Sequence, residues 1–319
     1  MDQAKSKIEV KNAKRVVIVK VGGSSVTNKA NKESVNEEVL DWFCRVVSDN
    51  VGQNFRAVDD ATASEQGISQ QGVAFILIHG AGSFGHHSAK VYGLSGQTAE
   101  PDGSKDMSVQ ENRRRKRGLA ETRLSVQRLN HLVVSKLIDH GVNAVGISPG
   151  FGIPGLEAHL HLQPEPMKDL ETVILRTINA GLVPVLHGDA CMYGNDAAIL
   201  SGDTLLQVLG SLDWVSDAIF ITDVDGVYDE DPRQNPNAKL LPNIFVDPKS
   251  GSLMIDVKAS GSSHEHDVTG GLETKMKAAA RIAISKPVTI VGCGSKGFAQ
   301  ILRGEDLELG TVMSPKEEV

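Results

Sequence analysis

Aromatic residues are scarce in this chain: two Trp, three Tyr and eight Phe make up 4% of 319 residues. So few rings argue against a stacking platform for single-stranded nucleic acid. Positive charge is not in excess either. Lys and Arg number 33 against 40 Asp and Glu, a net charge of −7, which argues against a general nucleic-acid role. A local anion site stays open, because a few placed cations and backbone N–H groups suffice for it. No apolar run approaches the ~20 residues that span a bilayer, and mean hydropathy is −0.15. Cysteine occurs only at Cys44, Cys191 and Cys293, with no CxxC and no paired spacing. That argues against a disulfide framework and fits a reducing compartment. The opening MDQAKSKIEVKNAKR lacks the apolar core of a signal peptide, so the expected location is cytoplasmic. Two catalytic signatures are missing as well: neither GxxxxGK[ST] nor HExxH occurs.

What is present is an alternation of short apolar runs and amphipathic stretches. Val16–Val21, Val73–Ile78, Ala144–Ile147, Val183–Leu186, Ala218–Thr222 and Val288–Val291 read as strands. Glu37–Ser48, a long stretch from Val109 to His140, Leu170–Asn179, Asp203–Leu212 and Thr274–Ile284 carry helical spacing. The expected fold is an α/β, three-layer α/β/α sandwich around a mainly parallel sheet. A boundary near 190 divides the chain into an N-terminal lobe, 1–190, and a C-terminal lobe, 191–319. Polar stretches at 50–71 and 92–106 read as loops. Four strands run straight into polar, glycine-rich loops: VGGSS, HGAGSFGH, HGDA and TDVDG. In parallel sheets, ligands sit beyond such carboxyl ends.

Each loop has a plain reading beside a functional one. Lys20 lies inside VVIVKVGG, where lysine needs either an edge position with a route to solvent or a charged partner. The functional reading sets its ammonium beside the N–H groups of Gly22, Gly23 and Ser24 as an anion nest. Gly80-Ala-Gly82-Ser-Phe-Gly85 matches GxGxxG, but the acidic residue a dinucleotide site needs ~20 residues on is absent from a strand end. Asp223 and Asp225 are turn formers or ligands at a strand end. Gly270, Gly271 and Lys275 open a helix suited to phosphate. Histidines 79, 86, 87, 187, 264 and 266 invite a metal, yet no carboxylate pairs with them at ligand spacing, so no metal site is expected. Arg113–Arg117 reads as a solvated helix face.

Taken together, KVGGS, HGAGSFGH, SGD at 201–203, TDVDGVY at 222–228 and DVTGGLETK at 267–275 resemble the amino acid kinase superfamily in order and spacing over nearly the whole chain. Within it, HGAGSFGH together with VPVLHGDA is most similar to the isopentenyl phosphate kinases. The resemblance implies ATP and Mg2+ as cofactors and isopentenyl phosphate as the small-molecule acceptor, with neither nucleic acid nor membrane as partner, and a homodimer. It assigns the acceptor to the N-terminal lobe and ATP to the C-terminal one. Lys20, Lys29 and His86 would be catalytic. Lys20, Gly22, Gly23, Ser24, Gly82, Asp223, Tyr228, Gly271 and Lys275 would bind ATP. Ala81, Gly82, His86 and Gly202 would hold the acceptor. Competing readings are a kinase of another small acid or phosphonate, a silent nucleotide-binding regulatory module, and a dinucleotide oxidoreductase. The segments 50–71, 92–106 and 258–266 look like insertions of eukaryotic members.

Overall fold

Strands too apolar to face water on either side must be covered twice. The computed structural model does this with one nine-stranded sheet between helices; it describes residues 10, 13–28, 30–56, 73–94, 108–149, 164–193, 196–254 and 270–316. The chain enters through β1 (Arg15–Val21), the single turn α1 (Gly23–Val26) and α2 (Glu37–Asn50). Next come β2 (Val73–His79), α3 (Gly82–Val91), α4 (Val109–Asp139) and β3 (Ala144–Gly146). Helix α5 (Pro164–Asn179) leads to β4 (Val183–His187), the hairpin β5 (Asp189–Tyr193) and β6 (Asp196–Leu200), and α6 (Gly202–Gly210). The remainder is β7 (Asp217–Thr222), β8 (Asn243–Val246), β9 (Leu253–Met254), α7 (Gly270–Ala283), β10 (Val288–Gly292), α8 (Gly297–Arg303) and β11 (Thr311–Pro315).

The sheet order is β3-β4-β2-β1-β7-β10-β11-β8-β9. All neighbours are parallel except β10–β11 and β8–β9. Strand β2 is buried at every residue and β1 at every residue after Arg15, as doubly covered parallel strands require. Strands from before residue 190 occupy one side, those from after it the other, and they meet where Val17–Val21 of β1 runs beside Asp217–Ile221 of β7. The 31-residue α4 starts at an N-cap: the Ser108 hydroxyl accepts from Glu111 N at 3.1 Å. It buries Leu119, Val126, Leu129, Val133 and Leu137, and Gly141 in the left-handed region (φ 77°) follows its end.

Three sequence expectations change. Gly82–His86, read as the end of a glycine-rich loop, instead opens a helix, Gly82–Val91. The segment after Asn50 is not wholly polar surface, because Val51 and Phe55 enter the core around a short 3-10 turn, Gln53–Phe55; residues 57–72 lie outside the described residues. The basic run at the start of α4 is not merely solvated either. Arg114 donates to Val91 O and Arg115 to Gly93 O and Ala197 O, tying α4 to the end of α3 and to β6. Most of the 92–106 connection and all of 258–266 lie outside the described residues.

The two halves also meet away from the sheet. Phe298 of α8, fully buried, stacks on Phe43 of α2 with centroids 6.0 Å apart and planes 11° from parallel. Phe298→Ala should lower unfolding free energy by about 3–5 kcal/mol in urea titration, since the cavity adds to the lost transfer energy. Phe298→Leu, which keeps most of the volume, should lose much less.

Candidate active site

Strands β4, β2, β1 and β7 are neighbours and parallel, so the four glycine loops read from the sequence emerge along one edge. Each is stitched to the next. Gly22 N donates to Ile221 O at 2.9 Å, Gly80 N to Val21 O at 3.1 Å and Gly188 N to His79 O at 3.0 Å. The loops after β1 and β2 touch backbone to backbone. A Cβ on Gly23 would stand 2.3 Å from Gly82 N, and one on Gly80 would stand 2.5 Å from Gly23 N. Gly82 also has φ +49°, with Thr27 Oγ1 against its bare face. That hydroxyl donates to Gly23 O at 2.7 Å and accepts from Ser83 N at 2.9 Å, locking the two turns. Among the described residues no acceptor meets the N–H groups of Gly23, Ser24, Ala81 or Gly82. Such a cluster of donors at helix starts is an anion cradle.

Lys20 lies in this edge at 4% exposure, on a central strand rather than a sheet margin. The edge-strand alternative is therefore excluded. Its Nζ pairs with Asp203 Oδ1 at 2.7 Å, and both side chains are largely sheltered from water. Asp203 sits in the first turn of α6, behind the N-cap Ser201 that accepts from Thr204 N at 3.0 Å. Gly202 brings this turn in close: a Cβ there would lie 3.5 Å from Lys20 Cε. Asp203 is the partner that sequence reasoning missed. The SGD triplet was visible, but an acid in a first helical turn looks like a simple dipole contact. Only the fold brings it to Lys20, 183 positions away.

Two histidines stand behind the loops. His79 and His187 are register partners at the ends of β2 and β4, both buried, with rings 5.7 Å apart and 27° from parallel. His79 Nδ1 lies 3.0 Å from Gly80 O, and its Nε2 lies 3.1 Å from Asn130 Nδ2. A carbonyl only accepts, so Nδ1 carries the proton and Nε2 accepts from the amide. His187 Nδ1 lies 3.0 Å from Gly188 O in the same way. Burial, and then the neighbouring His187, push the His79 pKa down to about 3. Burial also lowers that of His187, against the opposing charge of Asp189. Asp189 is itself held by Arg123 of α4 and by the Ser148 hydroxyl at 3.2 Å. Among the described residues no group of three or more His, Cys, Asp or Glu that could hold a metal ion gathers.

His86 projects from the second turn of α3 into an open cleft of about 600 Å³ shared with Lys32, Ser83, Lys90, Tyr92 and Glu121. Lys29 lies outside the described residues. The loop that carries it is closed by Asn28 N donating to Ser34 O at 2.9 Å, and Glu33 pins it to α4 through Ser125 Oγ at 2.6 Å. On the other side, Asp223 follows β7, beside the β1 turn, and pairs with Arg233 at 2.7 Å. The Tyr228 phenol pKa is raised by burial and then by Asp225. Gly271 and Lys275 fall in the first turns of α7, which packs on α6. The structure thus brings Lys20, Gly22, Gly23, Ser24, Ala81, Gly82 and Gly202 together and sets Asp223 next to them.

A family model described as the amino acid kinase family matches residues 15–292. The chain is 32% identical to an isopentenyl phosphate kinase of Arabidopsis thaliana over 90% of each chain. It is 28% identical to one of Methanothermobacter thermautotrophicus, over 82% of this chain and 85% of that. A crystal structure of T. acidophilum isopentenyl phosphate kinase in a product complex superposes with a TM-score of 0.65 at 22% identity, covering 93% of this chain and 99% of the other. That match establishes the shared fold.

The histidine pair gives a pH dependence. Its folded pKa values lie below the unfolded value of 6.5, so below that pH the unfolded chain takes up protons that the folded one refuses. The stability that the pair contributes is therefore present above about pH 6.5 and is lost as the pH falls, for His79 down to about pH 3, at up to about 1.4 kcal/mol per pH unit. Urea midpoints at pH 7, 6 and 5 should decline, and His79→Phe should flatten the decline. A profile level from pH 7 to 5 would contradict the neutral assignment.

Proposed function

This chain belongs to the amino acid kinase family, and from that premise we propose that it transfers the γ-phosphoryl group of ATP to isopentenyl phosphate, yielding isopentenyl diphosphate and ADP. The observation that carries the reading is the mutual contact of the β1 and β2 glycine turns, N–H groups unspent, beside a buried lysine. Coverage of 90% of a relative bearing that activity supports the acceptor.

The acceptor already holds an anionic oxygen, so no strong general base is needed. That oxygen attacks Pγ, a new P–O bond forms, and the bond from Pγ to the β-bridging oxygen breaks with ADP leaving. The difficulty is bringing two anions together, which positioning and charge neutralisation relieve. In our reading Lys20 contacts the transferred group, with Asp203 fixing its ammonium. Gly22, Gly23, Ser24 and Gly82 cradle ATP phosphates. Lys29 neutralises the phosphoryl group in flight. Ala81, Gly82, His86 and Gly202 hold the acceptor phosphate. Asp223, Tyr228, Gly271 and Lys275 bind nucleotide. The division into an acceptor lobe, 1–190, and an ATP lobe, 191–319, is supported by the way the sheet divides at the β1–β7 pair.

Mg2+ would arrive with the nucleotide, and one or two carboxylates of this chain would suffice to hold it. Asp203 and Asp223 are carboxylates at the edge where the nucleotide's phosphates would lie, and both already pair with cations, which fits an ion that arrives with ATP. Bound there, it would offset charge on the β- and γ-oxygens. A homodimer is supported by exposed Leu124, Leu132 and Ile138 along one side of α4. Among the described residues no helix is long and apolar enough to cross a membrane, and a cytoplasmic setting suits three cysteines that form no disulfide.

The test is product identity. Incubated with MgATP and isopentenyl phosphate, the protein should form isopentenyl diphosphate and ADP in equal amounts by 31P NMR. Conversion only of another small acid, or none at all, would favour a competing reading. His86→Ala should lose at least roughly tenfold in kcat/KM for the acceptor, a charge-assisted hydrogen bond being worth about 1.5–3 kcal/mol. Lys29→Ala should instead lower kcat by ~10²-fold with KM little changed. Lys29→Arg should recover only part. A raised KM at unchanged kcat would make Lys29 a ground-state binder.

A further inference from the structure

We propose that His79 and His187 are positioning residues for phosphoryl transfer: each Nδ1–H holds the carbonyl of the next glycine and so sets the orientation of the loop that meets the phosphates. The proposal rests on the kinase reading above. Its first support is repetition. The dipeptide His-Gly occurs at the ends of two adjacent parallel strands, in register, and makes the same 3.0 Å contact from ring to following carbonyl both times. One such contact is a local accident of turn geometry; two in register, stacked on each other, form a device.

The second support is what the contact does to the peptide. The bond between Gly80 and Ala81 is trans, so its C=O and N–H point in opposite directions. Pinning Gly80 O to His79 therefore turns Ala81 N–H away from the ring. That N–H meets no acceptor among the described residues. Gly188 serves the same place from the other strand: a Cβ on it would lie 3.3 Å from Gly202 N and 3.8 Å from Ala81 N. The carbonyl fixed by His187 thus holds the bare face of Gly188 where the second glycine loop and the start of α6 converge.

The third support is the exclusion of other roles. At His79 the Nδ1 proton is given to Gly80 O, and the Nε2 lone pair is filled by the Asn130 amide, which also donates to Val185 O at 3.2 Å. No lone pair is left to take a substrate proton, so general-base chemistry is closed to this ring. Asn130 is 8% exposed and lies on α4. The groups facing the pair are His79 and His187 themselves, Asn130, and beyond them Asp189 with Arg123. A site needing volume alone would carry an apolar ring there, because burying an imidazole forfeits hydration.

The experiment compares His79→Phe, which keeps the ring and removes the donor, with His79→Asn, whose amide reaches the place of Nδ1. Steady-state rates are measured with ATP and isopentenyl phosphate both varied, beside thermal midpoints. His79→Phe should lower kcat by about 10- to 100-fold, the scale of a small misplacement at a reacting centre, with the KM for ATP little changed. His79→Asn should restore most of kcat. A role in packing alone would lower the midpoint and leave kcat in place, and that result overturns the proposal. Should His79→Phe fail to fold, His79→Asn decides alone: retained kcat supports the role and lost kcat overturns it. In 15N-histidine NMR spectra of the wild-type protein at pH 8, both neutral rings should carry the proton on Nδ1, and His79 should stay so down to pH 5; a proton on Nε2 of either neutral ring, or titration of His79 in that range, also overturns it. A wild-type protein that shows this tautomer but makes no isopentenyl diphosphate overturns the kinase reading and the positioning role with it. A competent wild type whose His79→Phe form is equally fast overturns the positioning role alone.

Discussion

Backbone against backbone is the contact on which this molecule turns. Where the turns after β1 and β2 meet, not one methyl group fits between them: any Cβ on Gly23 or Gly80 would stand inside the main-chain atoms of the other turn. Exclusion of side chains has an electrical result. With nothing to shield them, amides from two turns face the same small volume, and Thr27 fixes their separation through one hydroxyl. Parallel strands are the precondition, because only they deliver successive carboxyl ends to a common edge. The hydrogen bonds from Gly22 to β7 and from Gly188 to β2 extend the same stitching to both neighbours. The edge is in this sense a single object made from four sequence segments.

Lys20 adds a charge where charge is hard to hold. A buried ammonium needs a partner close enough to offset the hydration it gives up. Asp203 meets that need at 2.7 Å, and Gly202 allows the approach. The pair confers direction as well as stability, since the carboxylate fixes where the ammonium points. Asp203 arrives from the first turn of α6, beyond the proposed lobe boundary, whereas Lys20 belongs to β1. The geometry of the cation thus depends on both sides of the sheet being in place.

Much of this was legible in the sequence, and the misses have physical causes. The core strands announced themselves because a strand covered on both faces is a continuous apolar run, and the long α4 did so through its stripe from Leu119 to Leu137. Helix α3 was hidden because GAGSFGHH has no apolar period and is rich in glycine; packing against α4, not propensity, makes it helical. The β5–β6 hairpin was hidden for a similar reason, its strands being short and its flanks polar. The loops of the site could be named individually, since glycine beside a strand end is a local signal. Partnerships could not. Lys20 with Asp203, His79 with His187 and Arg123 with Asp189 are products of topology, and no local pattern encodes who meets whom.

The place of β1 in the sheet carries one more consequence, for the order in which the chain is made. Among the described residues β1 is the earliest strand in the chain, and it lies one place from the middle of the sheet, flanked by β2 and β7. Its pairing with β2 waits for fewer than sixty residues, but Val17 meets Asp217 only after 200 more have been synthesised. During that interval one side of an almost wholly apolar strand has unpaired N–H and C=O groups and no lasting cover. Long-range pairing of this kind forms slowly, because loop closure must precede any contact that rewards it. The β1–β7 seam, on which the glycine edge depends, is thus among the last parts of the sheet that the chain can close.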